Sequence, residues 1–132
     1  MHYRYPDRVG LTIGFVPELS KKIYAGADMF LMPSQSEPCG LAQMIALRYG
    51  TIPIVRETGG LRDSIHDAGD KNGNGFTFKS YNAHDMLDAV VRARAYYDDK
   101  MKWGRLVNTA LKQNFSWTKS AKDYIALYND IH

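Results

Sequence analysis

The fold is decided by residues 29–49, which read MFLMPSQSEPCGLAQMIALRY. The four apolar residues 29–32 are typical of a strand that is buried on both faces of a parallel sheet. A tight turn follows, and the amphipathic pattern of residues 40–49 predicts a helix that ends at Gly50. The stretch therefore predicts a strand, a turn and a helix, which together form the repeating unit of an α/β fold.

Similar units lie on both sides of this stretch. Residues 9–15 predict a short strand, and Pro17 occupies a favoured first position of a helix that extends to Gly26. Residues 51–56 predict the next strand, with Pro53 near its start. Residues 75–78 predict a brief, weaker strand. Strands that alternate with helices through short connections indicate an α/β protein with a parallel sheet, and so few strands make an incomplete sheet.

The remainder of the chain predicts helices only. Asn82 is a suitable cap for the first of them. Helical spacing continues through Leu87, Val90, Val91 and Ala95. The second helix is predicted over residues 100–114 and the third over residues 118–131. Phe115, Trp117 and Tyr124 are interpreted as packing anchors between helices, with carbohydrate stacking as the alternative.

Composition excludes several classes of protein. The chain has 132 residues and 45% hydrophobic content, enough for one domain with a core. Its net charge of +3 is too small to indicate nucleic acid or a membrane as a partner. The single cysteine, Cys39, allows no intramolecular disulfide and fits a reducing compartment. No apolar run approaches the ~20 residues of a membrane span, and no signal peptide is recognised, so a cytoplasmic protein is expected.

The turn that contains Glu37 is the first candidate site. Ligands of open α/β sheets bind where strands end and helices begin. Gly40 would let backbone N–H groups approach a phosphate, and the helix dipole would favour its negative charge. The turn predicts a site for an anionic, sugar-bearing ligand that Glu37 faces. A capped turn without a ligand is an equally good interpretation. Cys39 is interpreted as a packed thiol rather than a nucleophile.

A second glycine turn, Thr58-Gly59-Gly60-Leu61, follows the next strand. Its glycines either make the turn that the sheet requires or supply further backbone donors beside the same crevice, with the Thr58 hydroxyl as an oxygen ligand. Two arginines flank the turn, and either phosphate binding or surface ion pairing would explain them: Arg56 and Arg62. The four histidines lack the close pairing of metal ligands. They are His2, His66, His84 and His132.

Several segments together resemble the bacterial glycogen synthase and plant starch synthase family. The segments are AGAD at 25–28, EPCGL at 37–41 followed by Gln43, LRYGT at 47–51, TGGLRD at 58–63 and NFSW at 114–117. The resemblance covers nearly the whole chain. It implies a retaining glucosyltransferase of GT-B architecture, which transfers glucose from ADP-glucose to the non-reducing end of an α-1,4-glucan.

The same resemblance implies roles for individual residues. Glu37 would lie against the donor glucose, and the N–H groups of residues 39–41 would bind glucose hydroxyls and diphosphate. The donor-binding residues implied are Cys39, Gly40, Leu41, Thr58, Gly59 and Gly60. No cofactor and no metal is expected, because cationic side chains neutralise the diphosphate in this family. ADP rather than UDP as the nucleotide rests on the resemblance alone.

The resemblance also implies how the chain is organised. It corresponds to the second half of a Rossmann-like donor domain, with βα units over residues 1–81 and C-terminal helices over 82–132. The acceptor domain, the first strands and their diphosphate-binding Arg and Lys are not found, so the chain alone is expected to be inactive. Gln35-Ser36 replaces an Arg-Phe pair common in the family. A non-catalytic nucleotide- or glucan-binding module, or the donor domain of another GT-B glycosyltransferase, is the alternative. An exposed sheet edge would favour self-association.

Overall fold

A computed structural model describes residues 2–131, which form a three-stranded parallel sheet flanked by helices. The strands are β1 (Met29–Met32), β2 (Ile52–Arg56) and β3 (Phe76–Phe78), in the spatial order β1-β2-β3. Met29 lies opposite Ile52, and Ile54 lies opposite Phe76. The predicted α/β class and the incomplete parallel sheet are confirmed.

Residues 2–131 contain six α-helices, and all but α3, which begins within the predicted glycine turn at 58–61, lie where the sequence pattern indicates a helix. α2 ends at Tyr49, and Gly50 follows it with a φ of 78°, which only glycine adopts readily. Asn82 caps α4, because its side-chain oxygen accepts from the Asp85 N–H at 2.9 Å. A short 3-10 helix covers His2–Arg4. The α-helices are α1 (Pro17–Gly26), α2 (Ala42–Tyr49), α3 (Gly59–Ser64), α4 (Ala83–Asp98), α5 (Lys100–Leu111) and α6 (Trp117–Ile131). All three strands precede residue 81.

Pro53 lies in the central strand, a place where proline is rare. The Ile52 N–H donates to the Asp28 carbonyl oxygen, which lies on the β1 side. The nitrogen of Pro53, the next residue, therefore faces the β3 side. Pairing with β3 begins only at Ile54. The missing N–H of Pro53 therefore removes no ladder hydrogen bond.

The core lies around β2 and β3. α4 packs against this core with a different face from the one that its large apolar residues indicate. Ala89 and Ala93 are fully buried, whereas Leu87 and Val91 are each 58% exposed. Small residues let the helix axis approach the sheet closely, which explains why alanines face inward. Of the four residues predicted at helical spacing, Leu87, Val90, Val91 and Ala95, only Val90 packs against the core. The buried hydrophobic residues include Leu47, Ile52, Ile54, Val55, Leu61, Ile65, Phe76, Phe78, Leu106 and Ala110.

Two strand predictions need correction. Residues 9–15 form no strand but an exposed irregular segment, in which Ile13 is 89% exposed. Within residues 2–131 no neighbouring strand pairs with this segment, and an extended backbone needs such a partner to be stable. β1 is confirmed as a strand but is not buried on both faces, because it lies at the sheet edge with Leu31 exposed.

The aromatic residues near the C-terminus are not packing anchors, so that interpretation is wrong. Trp117 is 88% exposed, Tyr124 is 61% exposed and Phe115 is also exposed. α6 has no buried residue. Its apolar side chains have the right spacing for a packed face, but no other helix of the described chain covers them. Across residues 2–131, no helix has the length and apolar character needed to cross a membrane.

Candidate functional site

The carboxyl ends of the three strands bring three connecting segments to one edge of the sheet. Residues 33–41 follow β1, residues 57–58 follow β2, and residues 79–82 follow β3. Because all three strands are parallel, these segments meet at the edge where α/β proteins bind their ligands. Both predicted glycine turns lie here.

The first turn presents unused backbone donors. Within the described chain, the N–H groups of Cys39, Gly40 and Leu41 donate to no acceptor. They precede α2, whose first turn has no side-chain cap. Gly40 has a φ of 72°, which lets the chain turn sharply before the helix. Free N–H groups at a helix start form a favourable environment for an anion.

Glu37 precedes these donors and is half-buried. Its carboxylate makes no hydrogen bond or ion pair with any group in residues 2–131. The other half-buried carboxylates among residues 2–131 all accept hydrogen bonds: those of Glu57, Asp67, Asp85 and Asp99. Cys39 is exposed rather than packed, so the interpretation of its thiol as a packed group is wrong.

The second turn packs directly against the first. The Gly60 N–H donates to the carbonyl oxygens of Glu37 and Pro38, each at 3.1 Å. A Cβ on Gly59 would lie closer than 3.0 Å to the Glu37 carbonyl oxygen, and one on Gly60 equally close to that of Cys39. Both glycines thus permit backbone contact between the turns. The Gly60 N–H is used inside the protein, while the half-buried Thr58 hydroxyl has no partner among residues 2–131.

Arg56 connects the loops at this edge. Its guanidinium donates to the carbonyl oxygens of Ser34 (2.9 Å), Gln35 and Lys79 (3.5 Å), and it stacks over the Tyr81 ring at 5.7 Å. Neither predicted alternative for Arg56, phosphate binding or surface ion pairing, describes these contacts. Arg56 holds the segments after β1 and β3 in place.

Arg62 lies on α3 and is exposed. It forms no ion pair or hydrogen bond within the part of the chain that the structure describes. Its side chain is therefore available to an anionic ligand, and the surface ion pair considered for it is not formed among these residues.

Sequence reasoning missed the residues that support the two turns. Gln43 is fully buried, and its Nε2 donates to the carbonyl oxygens of Cys39 and Gly40 at 3.2 and 3.0 Å. The same Nε2 lies 3.1 Å from the hydroxyl oxygen of Ser64 on α3. A glutamine on the buried face of a short helix is the only sequence signal for this contact.

An ion pair stabilises the loop that precedes β3. Arg92 of α4 donates to both carboxylate oxygens of Asp67, at 3.0 and 2.8 Å, and to the Thr77 carbonyl oxygen at 2.7 Å. Burial opposes ionisation of Asp67, but hydrogen bonds from Arg92 and from the N–H groups of Thr77 and Gly69 outweigh burial. These bonds lower the pKa of the Asp67 carboxyl below its usual value.

Two clefts border the site. One of about 670 Å³ lies between α2 and the connection from α5 to α6, and it reaches the first turn at Leu41. The other, about 340 Å³, lies between Pro33 and the start of α4. Cys39 and Leu41 are exposed, so the first turn is open to solvent beside the larger cleft.

No group of three or more His, Cys, Asp or Glu side chains in residues 2–131 is arranged to hold a metal ion. His66 and His84 are exposed and far apart in sequence. His132 was included in the sequence argument but lies outside the described residues.

The chain resembles known proteins in both sequence and structure. Residues 3–105 match the family model described as glycosyl transferases group 1. The chain is 54% identical to proteins named glycogen synthase from Anoxybacillus flavithermus and from Bacillus anthracis, over 99% of its length in both cases. It spans about 28% of the length of these relatives.

A solved structure has the same fold. It is the catalytic domain of starch synthase IV from Arabidopsis thaliana, bound to ADP and acarbose. The TM-score is 0.87 and the sequences are 44% identical, over 98% of this chain and 27% of the plant chain. The likeness therefore extends over the whole described sheet and its helices.

Proposed function

Since the chain belongs to the group 1 glycosyl transferases, we propose that it supplies the donor-binding part of a glycogen synthase. In this proposal, glucose passes from ADP-glucose to the non-reducing end of an α-1,4-glucan with retention of configuration. The relatives named glycogen synthase and the ADP-bound plant starch synthase support this choice of donor and product.

One observation carries the proposal. Three free backbone N–H groups, those of Cys39, Gly40 and Leu41, precede α2 beside a carboxylate that has no partner in the described chain, that of Glu37. The donors suit a diphosphate, and the carboxylate suits the sugar attached to it. The alternative, a capped turn, would place a side-chain cap at the start of α2, and α2 has none among the described residues.

The charges of the reaction match this arrangement. Breaking the bond between glucose and phosphate leaves positive charge on the sugar and negative charge on the diphosphate. Fixed N–H donors and the positive end of α2 stabilise the leaving diphosphate, while the Glu37 carboxylate stabilises the sugar cation. Thr58 and the glycines of the second turn border the same pocket and keep the first turn in position.

The proposal assigns neutralisation of the diphosphate to N–H groups and cationic side chains, without a metal or another cofactor. Arg62 is the exposed cation nearest in sequence to the second turn. We also place the protein in the cytoplasm, because its exposed thiol, Cys39, suits a reducing compartment.

Replacing Glu37 with alanine is expected to leave ADP affinity unchanged and to weaken ADP-glucose binding by about tenfold. The carboxylate faces the sugar in the proposal, so only a ligand that carries glucose loses a hydrogen-bond acceptor. Isothermal titration of the 132-residue chain with both ligands measures the difference. Glu18→Ala removes an exposed carboxylate from α1 and serves as the control. Equal losses for ADP and ADP-glucose would contradict the role of Glu37.

Replacing Gly40 with valine is expected to weaken the binding of ADP itself by at least about tenfold. A Cβ at this position would lie 2.5 Å from the Gln43 Oε1, and the φ of 72° is unfavourable for a branched residue. The turn must then move its N–H groups away from the diphosphate. Gly10→Val is the control, because that glycine has open space around it. Unchanged ADP affinity in Gly40→Val would argue against a diphosphate at this turn.

We further propose that the chain associates with itself through the free edge of β1. Among the described residues this edge has no neighbour, and Leu31 beside it is exposed. Apolar residues of the irregular segment add to the surface: Leu11, Ile13 and Phe15. Unpaired edges and apolar patches favour association between copies.

Sedimentation velocity is expected to show an average mass that rises above that of one chain as concentration increases. Leu31→Lys places a charge on the edge and should shift the distribution towards the single chain. A single-chain mass at every concentration of the unmodified protein would show that the β1 edge does not cause association between copies.

A further inference from the structure

The hydrogens of the Gln43 amide determine how the first turn is held. The amide has two N–H hydrogens and three oxygen neighbours of Nε2. The two hydrogens are thus divided among three acceptors: the carbonyl oxygens of Cys39 and Gly40 and the Ser64 hydroxyl oxygen. Exchanging the amide nitrogen and oxygen would place Oε1 against two carbonyl oxygens, which cannot donate. The orientation of the amide therefore follows from its neighbours.

Ser64 continues the connection to the second turn. Its hydroxyl donates to the Gly60 carbonyl oxygen at 2.6 Å, and the Gly60 N–H donates to Glu37 and Pro38. Hydrogen bonds thus run from the carbonyl oxygens of the first turn through Gln43 and Ser64 to Gly60, and then back to the first turn. We call this closed set of contacts, made by Gln43, Ser64 and Gly60, the turn latch.

The latch sets the direction of the free donors. It draws the carbonyl oxygens of Cys39 and Gly40 inward, towards Nε2. The N–H group that follows each carbonyl lies on the opposite side of the same planar peptide unit. Inward carbonyls at residues 39 and 40 therefore turn the N–H groups of Gly40 and Leu41 outward, where no group of the described chain accepts from them.

Gln43 is a polar side chain at a buried position of α2, and its two amide atoms differ in how they are used. Gln43 lies on the inner face of α2 with Ala46 and Leu47, all fully buried. Its Oε1 is buried without a hydrogen-bond partner in residues 2–131, which destabilises the folded state. The hydrogen bonds of this side chain are all made by its amide nitrogen, Nε2.

We propose that Gln43 is a positioning residue, which through the turn latch makes the two glycine turns one rigid unit for recognising the donor diphosphate. The inference rests on the proposed function, since the ligand is the same ADP moiety. Gln43 does not touch the ligand in this scheme. It acts through the backbone of residues 39–41 and through Ser64.

The test follows individual amides by NMR while ADP is added to the 132-residue chain. In the unmodified protein the amides of Leu41 and Gly60 should both shift, with one common Kd. Gln43→Met keeps the size of the side chain but removes its donors. This variant should bind ADP about tenfold more weakly, and its Gly60 amide should no longer respond when Leu41 does. Ser64→Ala, a milder change, should also uncouple Gly60 from Leu41.

The control is Gln113→Met, which removes a half-buried amide that donates to the Thr109 carbonyl oxygen and makes no hydrogen bond with either turn. It should leave the ADP response unchanged. Unaltered affinity and a common response of both amides in Gln43→Met would overturn the proposal. If Gln43→Met does not fold, the Ser64→Ala response decides in the same way.

A failure of the proposed function would look different. The unmodified chain would then show no ADP-induced shift at any amide. The turn latch would then be tested without ligand. The test compares the rate at which the Gly60 N–H exchanges with solvent in the unmodified protein and in Ser64→Ala. Faster exchange in Ser64→Ala would support the rigid unit, and equal rates would overturn it.

Discussion

Gly60→Ala is expected to destabilise the protein by about 3 kcal/mol, because the new methyl group would collide with a backbone carbonyl rather than a mobile side chain. The Cβ would lie closer than 3.0 Å to the Cys39 carbonyl oxygen, so the two glycine turns must separate. Separation also breaks the hydrogen bonds from the Gly60 N–H. Thermal unfolding followed by circular dichroism should show a Tm lowered by about 10 °C.

Gly104→Ala is the matched control, since Gly104 lies within α5 with nothing near its Cβ position. Alanine there is expected to stabilise the helix by about 1 kcal/mol. If Gly60→Ala unfolded at the same temperature as the unmodified protein, the close packing of the two turns would not exist in solution. The same variant should also lose ADP binding, because the donors of the first turn move with its carbonyl groups.

Asp67→Asn is expected to destabilise the protein by about 2 kcal/mol at pH 7, which is typical for the loss of hydrogen bonds to a charged partner. The carboxylate accepts two bonds from Arg92 and one from the Thr77 N–H, and only 24% of its side chain is exposed. Asparagine has the same shape but no charge, so Arg92 loses its least exposed partner. Urea unfolding at pH 7 measures the difference in free energy.

The effect of Asp67→Asn is expected to depend on pH. The pKa of Asp67 is lowered in the folded protein, compared with about 3.9 in an unfolded chain. The carboxylate therefore stabilises the folded state fully above the unfolded pKa, and this contribution is lost as pH falls through the folded pKa. The free-energy difference between the two proteins should be constant from neutral pH to about pH 5 and should shrink below pH 4.

Asp88→Asn removes another carboxylate from the same arginine and provides the comparison. Asp88 is 71% exposed in its pair with Arg92, so its loss should cost less than about 0.5 kcal/mol. If Asp67→Asn and Asp88→Asn lowered the free energy of unfolding equally, the burial of Asp67 and its hydrogen bond from the Thr77 N–H would contribute nothing to the stability of the ion pair with Arg92.

Local patterns were sufficient to predict most elements of secondary structure. The alternation of apolar runs, glycines and amphipathic segments predicts β1, β2, β3 and five of the six helices among residues 2–131 within a few residues; α3, in a segment interpreted only as a glycine turn, was not predicted. These signals are local: a proline at a helix start, an asparagine cap or a glycine with positive φ acts through its own neighbours. Hydrophobic runs of the right length therefore reveal where each element lies.

Other predictions failed because they depended on a partner elsewhere. Residues 9–15 have a strand-like composition but no neighbouring strand in the described chain. Trp117 and Tyr124 have the size of core residues but nothing to cover them. The loop over 67–75 is polar in sequence, yet Asn74 within it is fully buried because it bonds to the backbone of His66 and Ser64. Burial is a property of pairs of segments, so composition alone does not determine it.

The sequence by itself determined the α/β class, the order of β1, β2 and β3 and the two glycine turns with Glu37 at the edge of the sheet. Only the tertiary structure decided what those glycines do. Gly59 and Gly60 allow two backbone turns to touch, and Gln43 and Ser64 connect them from beneath. The physical reason is distance along the chain. Local conformation depends on neighbours a few residues apart, whereas this contact joins groups about twenty positions apart that meet only when parallel strands align their carboxyl ends.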